Sequence, residues 1–297
     1  MGSYDYEDYR SSTTRPSSSR PSSGGMFGPS STPPPKSTPK PSPTARASSA
    51  PSPVNVSADK ISRPKGKHNM LLCFDTTGSM GEWRKNVREK SRYLIEGVVK
   101  YAPDTQIAVI GIGDHCDKGL MIQKRDFTSD PDQLSANLES IQNVQGGDTP
   151  EAYEDLFHEI SELPLDNTNT YVILVCDSYP HGIHQLDDDG CPNKFDFRHE
   201  LEKMRKVVAG FFVISCDTKP HIRQIQMSMV KRKSELISVE DVLRLTNTFQ
   251  GVVAILHDKF DEFIKTMRTT RGDARGDTMM KTLRTLSEDM KTIRTKK

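Results

Sequence analysis

Three short segments carry side chains of the kind that hold a hard cation. The first reads Asp75-Thr-Thr-Gly-Ser79-Met80, with Asp75, Thr77 and Ser79 spaced two apart in a loop that leads into a helix. A carboxylate and two hydroxyls are hard oxygen donors, which suit magnesium, manganese or calcium. The second, Gly146-Gly-Asp-Thr-Pro-Glu-Ala152, offers the Thr149 hydroxyl beside flexible glycines. The third is Asp177, directly after the apolar run Tyr171–Cys176, where a carboxylate could meet the same ion or its bound water. Asp, Ser and Thr also favour helix N-caps, so the first segment alone could be a cap cluster. Capping does not require Thr149 and Asp177 elsewhere.

Other polar groups are less specific. Asp114 and Asp117, with His115 and Cys116, follow a second apolar run and either shape the rim of a site or form a turn. His181, His184 and Cys191, with Cys116, are zinc-ligand types, but their spacing matches no zinc pattern and favours solvated loop residues. Asp187-Asp188-Asp189 reads as a solvated loop or a holder of a second hard cation. The triplets Arg271-Gly-Asp273 and Arg275-Gly-Asp277 read as a break between helices rather than integrin ligands. Met279, Leu283, Leu286, Met290 and Ile293 then step by four and three, a heptad spacing too short for a coiled-coil assignment. That seam would dock on a partner, pair with itself or fold back on the domain. Its polar face is basic (Lys281, Arg284, Lys291, Arg294), which suits an acidic partner surface or a membrane. Asn55-Val-Ser57 is a glycosylation sequon, idle in a protein that is not secreted.

The elements that must position the three segments follow from hydrophobic pattern. Asn69–Phe74, Gln106–Ile112, Tyr171–Cys176, Gly210–Cys216 and Gly251–Leu256 are apolar runs of the kind found in strands buried on both faces. Leu120–Phe127 reads as an edge strand. Helices are predicted over 81–101, 130–144, from Thr149 (capped by Thr149, with Pro150 in its first turn), 197–208, 221–233, 239–246 and 259–268. Alternating strands and helices predict an α/β domain over 67–268, a doubly wound, mostly parallel sheet with helices on both faces. Its site is expected outside the carboxyl ends of the strands. Residues 269–297 form a break and a basic amphipathic helix.

Residues 1–66 are Ser, Pro, Thr and Arg in loose repetition and carry too little apolar surface to offset the entropy of ordering, so a disordered tail is expected. Over 297 residues the hydrophobic fraction is 34% and the formal net charge +1, a balance that argues against a dedicated nucleic-acid binder. Five cysteines, an odd number with three inside apolar runs, suggest reduced thiols. The N-terminus MGSYDYEDYR lacks the apolar stretch of a signal peptide, and no run approaches the length of a membrane span, so a soluble cytoplasmic protein is expected.

Taken as a set, the three segments resemble the adhesion-site motifs of the von Willebrand factor A domain. The family's Asp-x-Ser/Thr-x-Ser loop matches Asp75, Thr77 and Ser79, its isolated threonine Thr149 and its second aspartate Asp177. The resemblance implies that the hydroxyls bind a metal ion directly, that the aspartates often act through water, and that one coordination position stays open for a ligand carboxylate. A narrower resemblance lies in Ile112-Gly-Asp-His-Cys-Asp117, Gly146–Ala152 and Cys176-Asp-Ser-Tyr-Pro-His-Gly182, which look like the subgroup of these domains attached to alpha-type protein kinases. It covers roughly residues 68–256, and no kinase domain is expected in the short segment that follows. Asp114, Asp148, Glu151 and His181 are placed on the rim. The expected function is a non-enzymatic, divalent-cation-dependent module, an adaptor or scaffold. It would bind Mg2+ (or Mn2+ or Ca2+) and, through it, a protein partner offering Asp or Glu. The alternatives are a regulatory partner of a separately encoded alpha-type kinase and a metal-dependent hydrolase or phosphotransferase. The latter lacks a nucleophile–base pair, a Walker-type phosphate loop and a kinase signature.

Overall fold

The computed structural model describes residues 61–65, 67–183, 190–217, 219–239, 241–271 and 278–295. Residues 1–60, His184, the acidic run 187–189 and most of the two Arg-Gly-Asp triplets lie outside them. Strand β1 (His68–Asp75) is the axis of the molecule. It pairs in parallel with β2 (Thr105–Ile112) on one side and β5 (Thr170–Cys176) on the other. Because helices cover both faces, every residue from Asn69 to Asp75 is buried. Alternate side chains point to opposite faces. Met70, Leu72 and Phe74 join one core with α1 (Gly81–Glu89), α2 (Ser91–Tyr101) and α3 (Pro131–Ser140). Leu71 and Cys73 join a second core with α4 (Tyr153–Ser161) and α5 (Phe197–Val207).

The six-stranded sheet has the order β3-β2-β1-β5-β7-β8, with β7 at Gly210–Ser215 and β8 at Leu236–Ser238. All pairs are parallel except the edge strand β3 (Ile122–Thr128), which runs antiparallel to β2. From β1 the chain steps outward one way to β2 and β3, then returns to the other side of β1 as β5 and steps outward to β7 and β8. The carboxyl ends of β1 and β5 therefore flank the point where the winding reverses, the usual ligand position in such sheets. No described helix is long and apolar enough to cross a membrane.

Several elements differ from the pattern-based expectation. The helix expected over 81–101 is two helices broken at Lys90 (φ −110°, ψ 14°). The break resets the helical phase, so Tyr93 is 45% exposed while Leu94, Ile95 and Val98 face the core. The run Gly251–Leu256 is not the last strand. It ends helix α7 (Leu245–Leu256), which follows α6 (Pro220–Ser228) and all twelve residues of which are buried. Burial all round removes the helical period, leaving an apolar run that reads like a strand. The sixth strand is instead β8, whose three residues are too few to give a pattern.

After α8 (Phe260–Arg271), helix α9 (Thr278–Thr295) folds back on the domain. Met279, Met280, Leu283, Leu286 and Met290 are buried in the first core, with Ile293 packed against it. Arg294 donates to the Leu256 carbonyl at 2.6 Å, satisfying an acceptor left open at the end of α7. Of the three roles open to the seam, the structure shows the fold-back. We predict that Leu283→Ala, at a position with no exposure, lowers stability by about 2–5 kcal/mol. Urea denaturation measures this; a seam reserved for a partner would leave the midpoint unchanged.

Residues just before the expected domain also pack on it. Ile61 is buried in the second core. The Ser62 backbone N–H donates to Asp126 at 2.8 Å and the Lys65 N–H to Gln106 at 2.7 Å. Removing residues 1–66 is expected to cost about 1.5–3 kcal/mol more than removing residues 1–60, the value of one buried isoleucine. Equal melting temperatures for the two truncations would show that Ile61 adds nothing.

Candidate metal centre

The loop after β1 is held by its even residues and presents its odd ones. Thr76 donates its backbone N–H (2.6 Å) and its hydroxyl (2.8 Å) to the Ile112 carbonyl, and its own carbonyl accepts from Val144 N–H at 3.0 Å. Gly78 N–H donates to the Gln145 carbonyl at 3.3 Å. Between them, Thr77 and Ser79 turn the other way, their hydroxyl oxygens 3.4 Å apart. Asp75 has no exposure. Its Oδ1 accepts from the Thr77 N–H (2.9 Å) and hydroxyl (2.6 Å), and its Oδ2 accepts from the Tyr153 hydroxyl. With its proton aimed at Asp75, the Thr77 hydroxyl oxygen keeps acceptor capacity beside Ser79 Oγ.

Ser79, Thr149, Glu151, Asp177 and Asp217 line one cleft at this edge of the sheet. The structure therefore brings together the three segments expected to form the site. Thr149 does not cap a helix. Pro150–Glu151 form a two-residue strand, β4, parallel to β6 (Tyr179–Pro180), and α4 starts at Tyr153 with no side-chain cap. A residue before proline is pushed to an extended conformation, and the Thr149 carbonyl accepts from the Ser178 hydroxyl.

Carboxylates crowd this cleft. Burial, then the Asp177 charge, raises the Asp75 pKa, against the hydrogen bonds from Thr77 and Tyr153. Burial and then Asp75 raise that of Glu151, with Asp114 and Asp177 adding to the effect. Asp177 is raised chiefly by burial, opposed by a hydrogen bond from Ser79. The lining cation Lys219 lies 3.5 Å from Asp217. Glu151 Oε2 and Asp177 Oδ1 are buried with no hydrogen-bond partner. Buried acceptors without donors are costly. Hydroxyls and carboxylates gathered around such orphans fit a hard divalent cation.

The residues placed on the rim divide. Asp148 and Glu151 line the cleft. Asp114 takes part in a reciprocal cap, its side chain accepting from His115 N–H while Asp117 accepts from Asp114 N–H. Asp117 thus serves the turn. Asp114 and Asp148 also approach His181 Nε2 at 3.6 and 3.8 Å. Two residues escaped the sequence reading. Asp217 directly follows the apolar run Gly210–Cys216 as Asp177 follows Tyr171–Cys176, and the same pattern would have found it. Tyr153 reads as one more apolar helix position and carries no signal. All five cysteines are unpaired, with Cys73, Cys176 and Cys216 buried.

No family model matches the chain, and no curated protein matches it. Solved structures do. The pilus adhesin SpaC from Lactobacillus rhamnosus GG, in its open conformation, is similar at 12% identity and a TM-score of 0.46, over 69% of this chain and 31% of that one. Proximal thread matrix protein 1 from the mussel byssus is similar at 14% identity and a TM-score of 0.47, over 67% of this chain and 47% of that one. The chain thus spans less than half the length of either.

If buried carboxylates repel one another in the cleft, removing one charge stabilises the metal-free protein. Asp177→Asn is expected to raise the melting temperature in chelator, by about 2–4 °C for each kcal/mol relieved. Calorimetry in chelator tests this, and a lower midpoint would count against the repulsion.

Proposed function

We propose that this chain is a von Willebrand factor A-type domain that binds a protein partner through a shared divalent cation. One observation carries the reading: Ser79, Thr149 and Asp177, from three separate segments, line one cleft at the point where the winding of the sheet reverses. The antiparallel edge strand and the two helical layers agree with that family's architecture.

Each residue has a part. Ser79 and Thr149 are exposed and present neutral hydroxyls. Thr77, fixed by Asp75, presents a third. Asp75 is the buried anchor, positioned in turn by Tyr153. Asp177 contributes an unpaired carboxylate oxygen. A magnesium or manganese ion held there would offer a position to a partner's Asp or Glu carboxylate, completing an octahedral shell. Hydroxyl ligands add no negative charge, so the attraction for an external carboxylate is preserved.

Thr149→Ala is the cleaner variant, because Asp75 lies in the core and its loss would strand the Tyr153 hydroxyl. We predict that Thr149→Ala weakens magnesium binding about tenfold or more, roughly 1.4 kcal/mol, with an unchanged circular dichroism spectrum. Partner capture by the parent should vanish in chelator and return with magnesium or manganese, and the variant should capture little. A folded Thr149→Ala that takes up magnesium and captures partners like the parent would overturn the reading. Capture of an alpha-type kinase would name the partner class, and metal-dependent turnover of phosphate esters would replace binding with catalysis.

A further inference from the structure

A second cluster gathers at the first turn of α4, and its ligand chemistry is different. His115 comes from the turn after β2, Glu154 and Asp155 from the first turn of α4, and Cys191 from the segment before α5. His115 Nε2 lies 3.0 Å from Glu154 Oε1, 3.3 Å from Asp155 Oδ2 and 3.6 Å from Cys191 Sγ. Cys191 Sγ lies 3.5 Å from Asp155 Oδ2. All four ligand atoms fall within 4.8 Å of one another.

The four separations above, 3.0–3.6 Å, are close to the edges of a coordination tetrahedron. Bonds of about 2.0–2.3 Å from zinc to nitrogen, oxygen and sulfur give ligand–ligand edges of about 3.3–3.8 Å. The geometry points to a zinc site formed by His115, Glu154, Asp155 and Cys191, and we propose that this protein binds one zinc ion there.

The surroundings hold the ligands as a second shell does. Asn193 donates to Asp155 Oδ1 at 2.6 Å, which leaves Oδ2 turned toward the cluster. His181 N–H donates to Glu154 Oε2 at 3.1 Å, leaving Oε1 toward His115, and His181 Nδ1 sits 3.1 Å from that Oε1. Outer partners of this kind fix ligand orientation in metal sites. A protonated His115 paired with a carboxylate accounts for less. One Nε2–H can be aimed at a single acceptor, while here two carboxylates and a sulfur converge on it. Glu154 has no exposure and Asp155 only 5%. Zinc binding would displace the Cys191 thiol proton to solvent, since the thiolate is the ligand.

The thiolate and imidazole select zinc over magnesium, whereas the all-oxygen cleft favours magnesium. The two sites are thus chemically separable, and the zinc site stands whether or not the cleft binds a partner. Its four ligands leave no open position, so its role is structural: it would tie the Cys191 segment and the turn after β2 to the start of α4. Cys191 had appeared beside His181 and His184 as a set without zinc spacing. The partner that completes it, His115, lies 76 residues away.

The experiment uses untagged full-length protein dialysed against metal-free buffer containing a weak chelator. Zinc content by mass spectrometry should be one equivalent per chain. Cobalt substitution should give a thiolate-to-metal charge-transfer band. Cys191→Ser should lose that band and bind zinc at least tenfold more weakly, while Thr149→Ala keeps both. Cys191 is only half-buried, so Cys191→Ser is expected to fold; should it not, His115→Gln gives the same readout through zinc stoichiometry. Folded parent protein without zinc after zinc loading, or a Cys191→Ser protein with the parent's zinc affinity and cobalt spectrum, would overturn the site.

Discussion

A carboxylate with no solvent exposure sits at the carboxyl end of the central strand, and much of the structure is arranged around it. Desolvating Asp75 is unfavourable unless its oxygens find donors. They find the Thr77 N–H, the Thr77 hydroxyl and the Tyr153 hydroxyl. The first two curl the loop after β1 so that Thr77 and Ser79 face one way. The third fixes the start of α4, and with it Glu151 and Thr149 just upstream. Thr76, turned the opposite way, ties the same loop to the end of β2 and to Val144. One buried charge thus registers three segments against each other. The site is continuous with the core, which makes Asp75 a structural residue as much as a candidate ligand.

This arrangement explains which parts of the molecule were legible in the sequence. Strands covered on both faces are unbroken apolar runs, so β1 and β5 stood out, and an aspartate directly after each marked the crevice. The glycines around Thr149 signalled a third loop. Pro150, however, suggested a helix start, where the structure has an extended residue and a two-residue strand. Asp217 carried the same signal as Asp177: Cys216-Asp217 ends the apolar run Gly210–Cys216 as Cys176-Asp177 ends the run Tyr171–Cys176. Tyr153 was beyond reach. Nothing in a helical stretch of mixed apolar residues says that one hydroxyl turns toward a carboxylate 78 positions away.

Acidic side chains on either side of the start of α4 have different neighbours. On one side, β4 carries Glu151 into the oxygen-lined cleft. On the other, Glu154 and Asp155 in the first helical turn face His115 and Cys191. Acidic residues suit a helix N-terminus, where unpaired N–H groups and the helix dipole favour negative charge. Five acidic or hydroxyl-bearing residues thus fall between Thr149 and Asp155. The sequence shows them as a single polar cluster. Which neighbours each one meets is decided by the passage from β4 into α4: Thr149 and Glu151 line the cleft, while Glu154 and Asp155 meet His115.

The misread strand and the ambiguous heptad share a cause at the other end of the chain. Helix α9 packs on α7 with Met279, Leu283 and Leu286, and α7 in turn packs on α2 and the sheet. A β-carbon at Gly251 would lie 2.6 Å from a Leu283 methyl, so the two helices approach as closely as that glycine allows. Covered by α9 outside and the sheet inside, α7 has no solvent face and needs no polar stripe. Its sequence loses the helical period and resembles a buried strand. The apolar stripe of α9 is a seam for the same reason: it repeats every three and four residues because it lies against another helix. That partner is in its own chain, and the heptad spacing alone cannot distinguish it from a helix in a second molecule.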